Sequence, residues 1–194
     1  MPPLWKRSEG FATLVLLILE QQVSLASARS AYGKLEEVIQ EVTPEAFLSL
    51  DDATLRAVGF SRQKSGYCRA LASAIWEGAF RPDALGDLPD EEANALLLDL
   101  RGIGPWTAAC YLLAALGRVD AWPTGDRALH VSMGSALGMD IPPTTEEADA
   151  IAERWRPQRA VAARMLWHDY LGGGSGSFGE GARGSSEGRV GSRT

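Results

Sequence analysis

Apolar residues recur at intervals of three and four along most of the chain. In the first such stretch, Phe11, Leu14, Val15, Ile18 and Leu19 share one face of a helix. Proline, glycine and capping residues interrupt the pattern repeatedly and predict about ten short helices. No stretch shows the sustained alternation of a strand, so we expect an all-α fold with one core or two small lobes that share an interface.

The helical pattern stops near the carboxyl end of the chain. Residues 172–194 consist mainly of glycine, serine and scattered arginine. Such a composition cannot bury a core. We therefore predict a folded domain over residues 1–171, followed by a disordered tail or an added extension over residues 172–194.

Charge and cysteine content narrow the class of protein. The chain has 194 residues, a net charge of -6 and two cysteines, Cys68 and Cys110. These are too few for a disulfide framework or a four-cysteine iron–sulfur cluster, so we expect no cofactor of that kind. The longest apolar run, Leu14 to Leu19, is too short to span a bilayer. We expect a monomeric protein in the cytoplasm, associated with the nucleoid. Because the chain is acidic, any nucleic acid must bind a local basic patch.

Two predicted helices, over residues 90–100 and 105–116, form a hairpin around Arg101-Gly102-Ile103-Gly104. Two glycines let the backbone approach a phosphate closely, and the free N–H groups at the start of the second helix attract anions. Such a turn would grip DNA without sequence preference. An ordinary helix–helix turn would use the same glycines for geometry alone, and the pattern by itself leaves both interpretations open.

A second segment, Trp122-Pro123-Thr124-Gly125-Asp126, follows the hairpin. Asp126 opens a new helix, where an acidic residue is most often a cap matched to the helix dipole. Considered alone, Asp126 needs no further explanation. Its neighbours along the chain change that interpretation.

Four segments, in this order and spacing, resemble the helix-hairpin-helix DNA glycosylase superfamily, and most closely its 3-methyladenine DNA glycosylase II branch. They are Ile18-Leu19-Glu20-Gln21-Gln22-Val23-Ser24, Gly59-Phe60-Ser61-Arg62-Gln63-Lys64, Leu100-Arg101-Gly102-Ile103-Gly104-Pro105-Trp106-Thr107-Ala108 and Trp122-Pro123-Thr124-Gly125-Asp126. The resemblance covers about residues 8–171. It implies a two-lobed helical fold with a cleft between the lobes, here without the N-terminal β-rich domain that this branch often carries.

The resemblance also implies roles for particular residues. Asp126 would be the catalytic carboxylate, and Trp106 and Trp167 would stack on a flipped base. The pocket would include Cys110, where the best-known relatives place a tyrosine. Tyr111 and Trp122 are further candidates for aromatic residues that line the pocket.

Contacts to DNA follow from the same resemblance. Gln22, with Gln21 beside it, would fill the gap left by the flipped nucleotide, although both side chains would equally serve to cap or cross-link the core. The backbone contacts would come from Gly102, Ile103, Gly104, Thr107, Arg62 and Lys64, with a solvated basic face as the alternative for the last two. A monovalent cation would bind the hairpin carbonyls of Leu100 and Gly102.

The chemistry that these residues permit is hydrolysis of an N-glycosidic bond. An alkylated purine carries positive charge, stacks on indole rings and leaves without a general acid, while Asp126 stabilises the developing oxocarbenium ion. Trp106 stands where strand-cutting relatives carry a nucleophilic lysine, so we expect no lyase step. The resemblance thus implies a monofunctional glycosylase that flips alkylated bases, such as 3-methyladenine and 7-methylguanine, out of damaged double-stranded DNA.

Two alternatives remain at this point. The chain would also fit a glycosylase of another substrate branch, acting on uracil, mismatched or oxidised bases. A noncatalytic helix-hairpin-helix DNA-binding module would use the same hairpin. Asp126 favours an enzyme, because a protein that only binds DNA has no need for that acid.

Overall fold

The computed structural model describes residues 4–173, and over this range the chain is helical without strands. Its helices are α1 Phe11–Glu20, α2 Leu25–Ile39, α3 Pro44–Leu48, α4 Asp52–Ala57, α5 Arg62–Trp76, α6 Asp90–Leu98, α7 Pro105–Ala114, α8 Arg127–Ala136, α9 Thr145–Ala152 and α10 Arg159–His168. Short helical turns occupy Pro82–Asp87, Glu153–Trp155 and Asp169–Gly173. The predicted all-α class is confirmed. The predicted tail lies outside the described residues from residue 174 onward.

Side-chain caps set many of the helix starts. Ser24, Thr43, Asp51 and Ser61 each accept a hydrogen bond from the backbone N–H three residues later, which satisfies a donor that the helix leaves free. Thr144 and Glu147 cap α9 reciprocally. These local signals explain why boundaries inferred from capping residues match the structure closely.

The first lobe is built around α1, which packs against α2, α5 and α7. Leu14 and Ile18 on this helix are fully buried. Phe47 joins α3 to the same core, with its ring centroid 5.8 Å from that of Phe11 and 5.6 Å from that of Phe60. A predominantly apolar helix is therefore the centre of this lobe.

The second lobe consists of α8, α9 and α10, which pack on one another around Leu129 and Met133. Apolar residues of both lobes share one core, and a polar contact also joins the lobes. Arg164 donates to the carbonyl oxygen of Leu113 at the end of α7, at 2.8 Å. The two-lobed arrangement implied by the resemblance is confirmed, and no helix within residues 4–173 is long and apolar enough to cross a membrane.

The segment before α1 connects both lobes, although the sequence predicted no role for it. The backbone N–H of Arg7 donates to the carbonyl oxygen of Ala114 at 2.9 Å. Arg164 of the second lobe donates to the carbonyl oxygen of Leu4 at 3.1 Å. Residues 4–10 are thereby fixed along the junction where the cleft opens.

Candidate active site

A cleft of about 1520 Å³ lies where the two lobes meet. Its walls are the end of α1, the beginnings of α5, α7 and α8, the end of α10 and the segment before α1. Pockets for small molecules measure roughly 300–1,000 Å³. The larger volume suits a segment of a polymer that inserts one of its units.

Asp126 lies in this cleft and is also the N-cap of α8. One carboxylate oxygen, Oδ1, accepts the backbone N–H of Leu129 at 3.0 Å. The other, Oδ2, accepts the indole N–H of Trp106 at 2.8 Å. The cap and the cleft position are therefore one arrangement, and the two hydrogen bonds fix the orientation of a carboxylate at the cleft wall.

One face of α7 continues the wall away from Asp126. Trp106 and Cys110 are four residues apart, so their side chains point in nearly the same direction. The Cys110 thiol is buried, and burial raises its pKa well above the usual value, with smaller contributions from the carboxylates of Asp126 and Glu20. It remains a neutral thiol at physiological pH and gives the wall a small, apolar patch.

Trp167, near the end of α10, also lines the cleft, and it has an aromatic partner that the sequence did not reveal. Trp5 packs edge to face against it, with ring centroids 6.3 Å apart and planes at 85°. Both rings line the cleft. Trp5 precedes the first helix, where periodicity gives no information about which way a side chain points.

The structure contradicts the pocket roles predicted for Tyr111 and Trp122. Tyr111 is fully buried, and its hydroxyl accepts the backbone N–H of Gly10 at 2.8 Å, away from the cleft. Helical spacing explains the difference, because Tyr111 lies about 140° around α7 from Trp106, whereas Cys110 lies about 40° away. Trp122 is buried outside the cleft and donates its indole N–H to Asp149 at 2.8 Å.

Gln21 and Gln22 have separate positions, although they are adjacent in sequence. The Gln21 side-chain amide donates to the carbonyl of Gly102 and to the hydroxyl of Thr107, both at 2.9 Å. It therefore cross-links α1 to the hairpin, which was the alternative to a gap-filling role. Gln22 is exposed at the cleft rim, with a left-handed backbone at φ 57°.

The two hairpin glycines are needed for different reasons. Gly102 has φ 91°, and a Cβ atom built there would lie 2.2 Å from the ring of Tyr67, so only glycine fits. Gly104 has φ -99°, and a Cβ there would meet open space. Gly104 gives α7 no side-chain cap, which leaves the N–H groups of its first turn available to an anion.

Three of the residues predicted to contact the DNA backbone have internal side chains, which leaves contact through their backbone N–H groups as a prediction. Ile103 and Thr107 are buried, with 5% and 2% of their surface exposed. Lys64 donates from its ammonium group to the carbonyls of Leu19 and Gln21, at 2.7 and 2.8 Å, and so caps the end of α1. Its partial burial lowers the pKa of Lys64. Arg62 is exposed at the start of α5.

Other cations at the cleft were not found by sequence reasoning. Lys6, Arg29 and Arg127 are exposed and line it, from three different parts of the chain. Arg127 directly follows Asp126. Because the chain as a whole is acidic, DNA binding would need a local basic patch. These three residues form such a patch, which composition alone could not locate.

The hairpin carbonyls proposed for a monovalent cation already serve as hydrogen-bond acceptors. The oxygen of Leu100 accepts from the N–H of Ile103 at 3.0 Å, and that of Gly102 accepts from Gln21. A carbonyl oxygen has two lone pairs, so each retains one for a cation.

An ion pair between Arg7 and Glu20 also lines the cleft. The two guanidinium nitrogens Nη1 and Nη2 donate to the two carboxylate oxygens at 3.0 and 2.8 Å. Glu20 is 6% exposed and is the only charged residue of α1. A single charged residue at the end of an otherwise apolar helix was the feature of the sequence that could have pointed to this ion pair.

Residues 15–158 match the family model described as HhH-GPD superfamily base excision DNA repair protein. The chain belongs to this superfamily. The DNA-3-methyladenine glycosylase 1 of Schizosaccharomyces pombe is 26% identical over 166 residues, covering 84% of this chain and 73% of the relative. The DNA-3-methyladenine glycosylase 2 of Escherichia coli is 27% identical over 171 residues, covering 82% of this chain and 57% of the relative.

Solved structures of the superfamily share the fold. A Schizosaccharomyces pombe 3-methyladenine DNA glycosylase, determined in complex with abasic DNA, superposes with a TM-score of 0.78 at 24% identity, covering 84% of this chain and 81% of that one. The relatives matched by sequence differ in length. The chain spans 55% of the length of one Bacillus subtilis relative and 75% of that of one Schizosaccharomyces pombe relative.

Proposed function

We propose that this superfamily member is a monofunctional DNA glycosylase that removes alkylated bases from double-stranded DNA. The observation that carries the proposal is Asp126, held by the indole N–H of Trp106 at 2.8 Å in a cleft between two lobes. Relatives named as DNA-3-methyladenine glycosylases support the substrate class.

DNA binding begins at the hairpin. The uncapped first turn of α7 receives a phosphate, because its N–H groups point outward and the open space at Gly104 allows close approach. Lys6, Arg29 and Arg127 neutralise further phosphates around the cleft. A monovalent cation on the remaining lone pairs of the hairpin carbonyls would stiffen this turn, and no step depends on it.

The damaged nucleotide then rotates into the cleft, since its glycosidic bond is not accessible within the duplex. Gln22 takes the vacated space in the helix, as its exposed position at the rim permits. Trp106 and Trp167 line the cleft and offer indole faces on which a cationic base stacks.

Asp126 acts on the bond that breaks. As the bond between C1′ and the base nitrogen lengthens, its electron pair moves to the cationic base, which leaves neutral, and positive charge develops on the sugar. The ionised Asp126 stabilises this charge through space. Water adds to C1′ and loses a proton, so the products are a free base and an abasic site.

The decisive experiment uses methylated duplex DNA with the wild type and with Asp126→Asn under single-turnover conditions. Asparagine caps a helix as well as aspartate does, so the fold is retained, while the charge and the acceptor for the Trp106 indole N–H are both lost. We expect base release to fall roughly 10²- to 10³-fold. The matched control is Asp140→Asn, the same change at an exposed position outside the cleft, which should release base at the wild-type rate.

The same reactions distinguish the remaining alternatives. A lyase would form a covalent adduct that borohydride traps, and we expect none. If an adduct did form, Lys6 and Lys64 would be the amines to examine, because they are the lysines that line the cleft within residues 4–173. Unchanged release by Asp126→Asn contradicts the assigned role of this carboxylate. Tight binding of DNA by the wild type without any release of base would instead identify a noncatalytic binding module.

A further inference from the structure

The Arg7–Glu20 pair has a placement that packing alone does not account for. Glu20 ends α1, where the helix dipole disfavours a negative charge. Its side chain is also 3% exposed, and a buried carboxylate is tolerated only with a partner. Replacing such a pair by apolar residues is often neutral or stabilising. An ion pair at a position this unfavourable, in the wall of the cleft, points to a role in that cleft.

The pair lies further along α7 than the Asp126–Trp106 contact, because the backbone N–H of Arg7 donates to the carbonyl oxygen of Ala114, eight residues after Trp106. Along α7, Trp106 is followed after four residues by Cys110, about 6 Å further along the helix. Arg7, Glu20, Cys110 and Asp126 line the same cleft. A base that enters past Asp126 therefore reaches the ion pair with the edge that is furthest from the sugar.

The member of the pair that faces the cleft is a hydrogen-bond donor. A guanidinium group has five N–H donors, and Arg7 uses two of them on Glu20. The other three have no side-chain or backbone acceptor among residues 4–173. The Arg7 side chain is 25% exposed, against 3% for Glu20. A group that binds at this end of the cleft must therefore be an acceptor.

We propose that Arg7 is a specificity-determining residue, which donates a hydrogen bond to the C6 carbonyl oxygen of a flipped, alkylated 6-oxopurine such as 7-methylguanine. A 6-aminopurine such as 3-methyladenine carries an amino group there, which is itself a donor and gains nothing from Arg7. Glu20 positions the guanidinium and offsets its charge, so that a cationic base is not repelled. This inference rests on the proposed glycosylase function.

The test measures two products in one reaction. Methylated duplex DNA contains both 7-methylguanine and 3-methyladenine, so the ratio of their release rates is independent of the active fraction of each preparation. In Arg7→Met/Glu20→Met, which removes both charges together, we expect this ratio to fall roughly tenfold or more.

A second variant preserves the ion pair and hence the fold. Arg7→Lys keeps a cation beside Glu20. An ammonium group, however, lacks the planar set of N–H donors with which a guanidinium binds a carboxylate and a base at the same time. The ratio should fall in this variant too. The control is Arg81→Met/Asp83→Met, an exposed ion pair outside the cleft, in which the ratio should equal that of the wild type.

The outcomes separate this inference from the function on which it rests. An unchanged ratio in both Arg7 variants overturns the inference and leaves the glycosylase intact. An equal fall in the two rates also overturns it, since that result marks a contact to the DNA backbone or a structural role. If the wild type releases neither base, the result contradicts the proposed function and also the inference that rests on it.

Discussion

At the scale of single residues, one contact joins a helix cap to the proposed chemistry. The N-cap role of Asp126 and its place in the cleft are compatible because the two carboxylate oxygens have different partners, Leu129 and Trp106. The cap fixes where the carboxylate is, and the indole fixes how it is turned. A residue with an ordinary structural explanation can therefore also be the catalytic group.

The indole hydrogen bond can be removed while the aromatic ring is kept. In Trp106→Phe, the Oδ2 atom of Asp126 loses its donor, and hydrogen bonds to charged groups contribute about 1.5–3 kcal/mol. We expect the single-turnover rate on methylated DNA to fall roughly 10- to 100-fold. Trp76→Phe is the matched control, because Trp76 is 62% exposed and outside the cleft. Equal rates in the two variants contradict an orienting role for Trp106.

Sequence reasoning placed Asp126, Trp106, Cys110 and Trp167 in the cleft, where the structure has them. It placed Tyr111 there wrongly, although helical geometry distinguishes its direction from that of Cys110. Helical periodicity tells which residues of one helix point in the same direction, and it says nothing about side chains on other segments.

Contacts between distant segments follow another logic. Arg7 and Glu20 are thirteen residues apart, and one of them precedes the first helix. Lys64 reaches the carbonyl of Leu19, 45 residues earlier. No local pattern encodes such pairs, because they depend on how the helices pack. The sequence therefore predicted the helices well and the polar contacts among them poorly.

At the scale of elements, the two glycines of the α6–α7 hairpin serve different purposes. Gly102 is needed for the fold, and Gly104 is needed for the proposed contact with a phosphate. Gly102→Ala places a Cβ against the Tyr67 ring in a left-handed backbone, and we expect a loss of about 1–3 kcal/mol in the free energy of unfolding. Gly104→Ala meets no atom and should unfold at the wild-type temperature. Thermal denaturation of both variants measures this difference.

Binding by the same two variants should show the opposite order. An alanine methyl group at residue 104 occupies the open space through which a phosphate approaches α7, so Gly104→Ala should bind DNA more weakly than the wild type. Fluorescence anisotropy with a duplex that contains an abasic site measures the affinity. Wild-type affinity in Gly104→Ala would show that the phosphate lies elsewhere.

At the scale of the whole molecule, the proposed function requires an acidic protein to bind DNA, which is itself a polyanion. The net charge is -6, so long-range attraction to DNA is absent and binding depends on cations around the cleft. Lys6, Arg29 and Arg127 come from the segment before α1, from α2 and from the start of α8. The cations of the cleft therefore come from both lobes and from the segment before α1.

This arrangement predicts a shallow dependence of affinity on salt. Each neutralised phosphate contributes about -0.9 to the slope of log K against log salt concentration, so three cations give a slope of about -3. Arg127→Met should reduce its magnitude by about 0.9, whereas Arg81→Met, at an exposed ion pair outside the cleft, should leave it unchanged. Anisotropy titrations from low to physiological salt measure both slopes. A steep wild-type slope that Arg127→Met does not alter would place the DNA on a different surface, because the cations lining this cleft are too few to produce it.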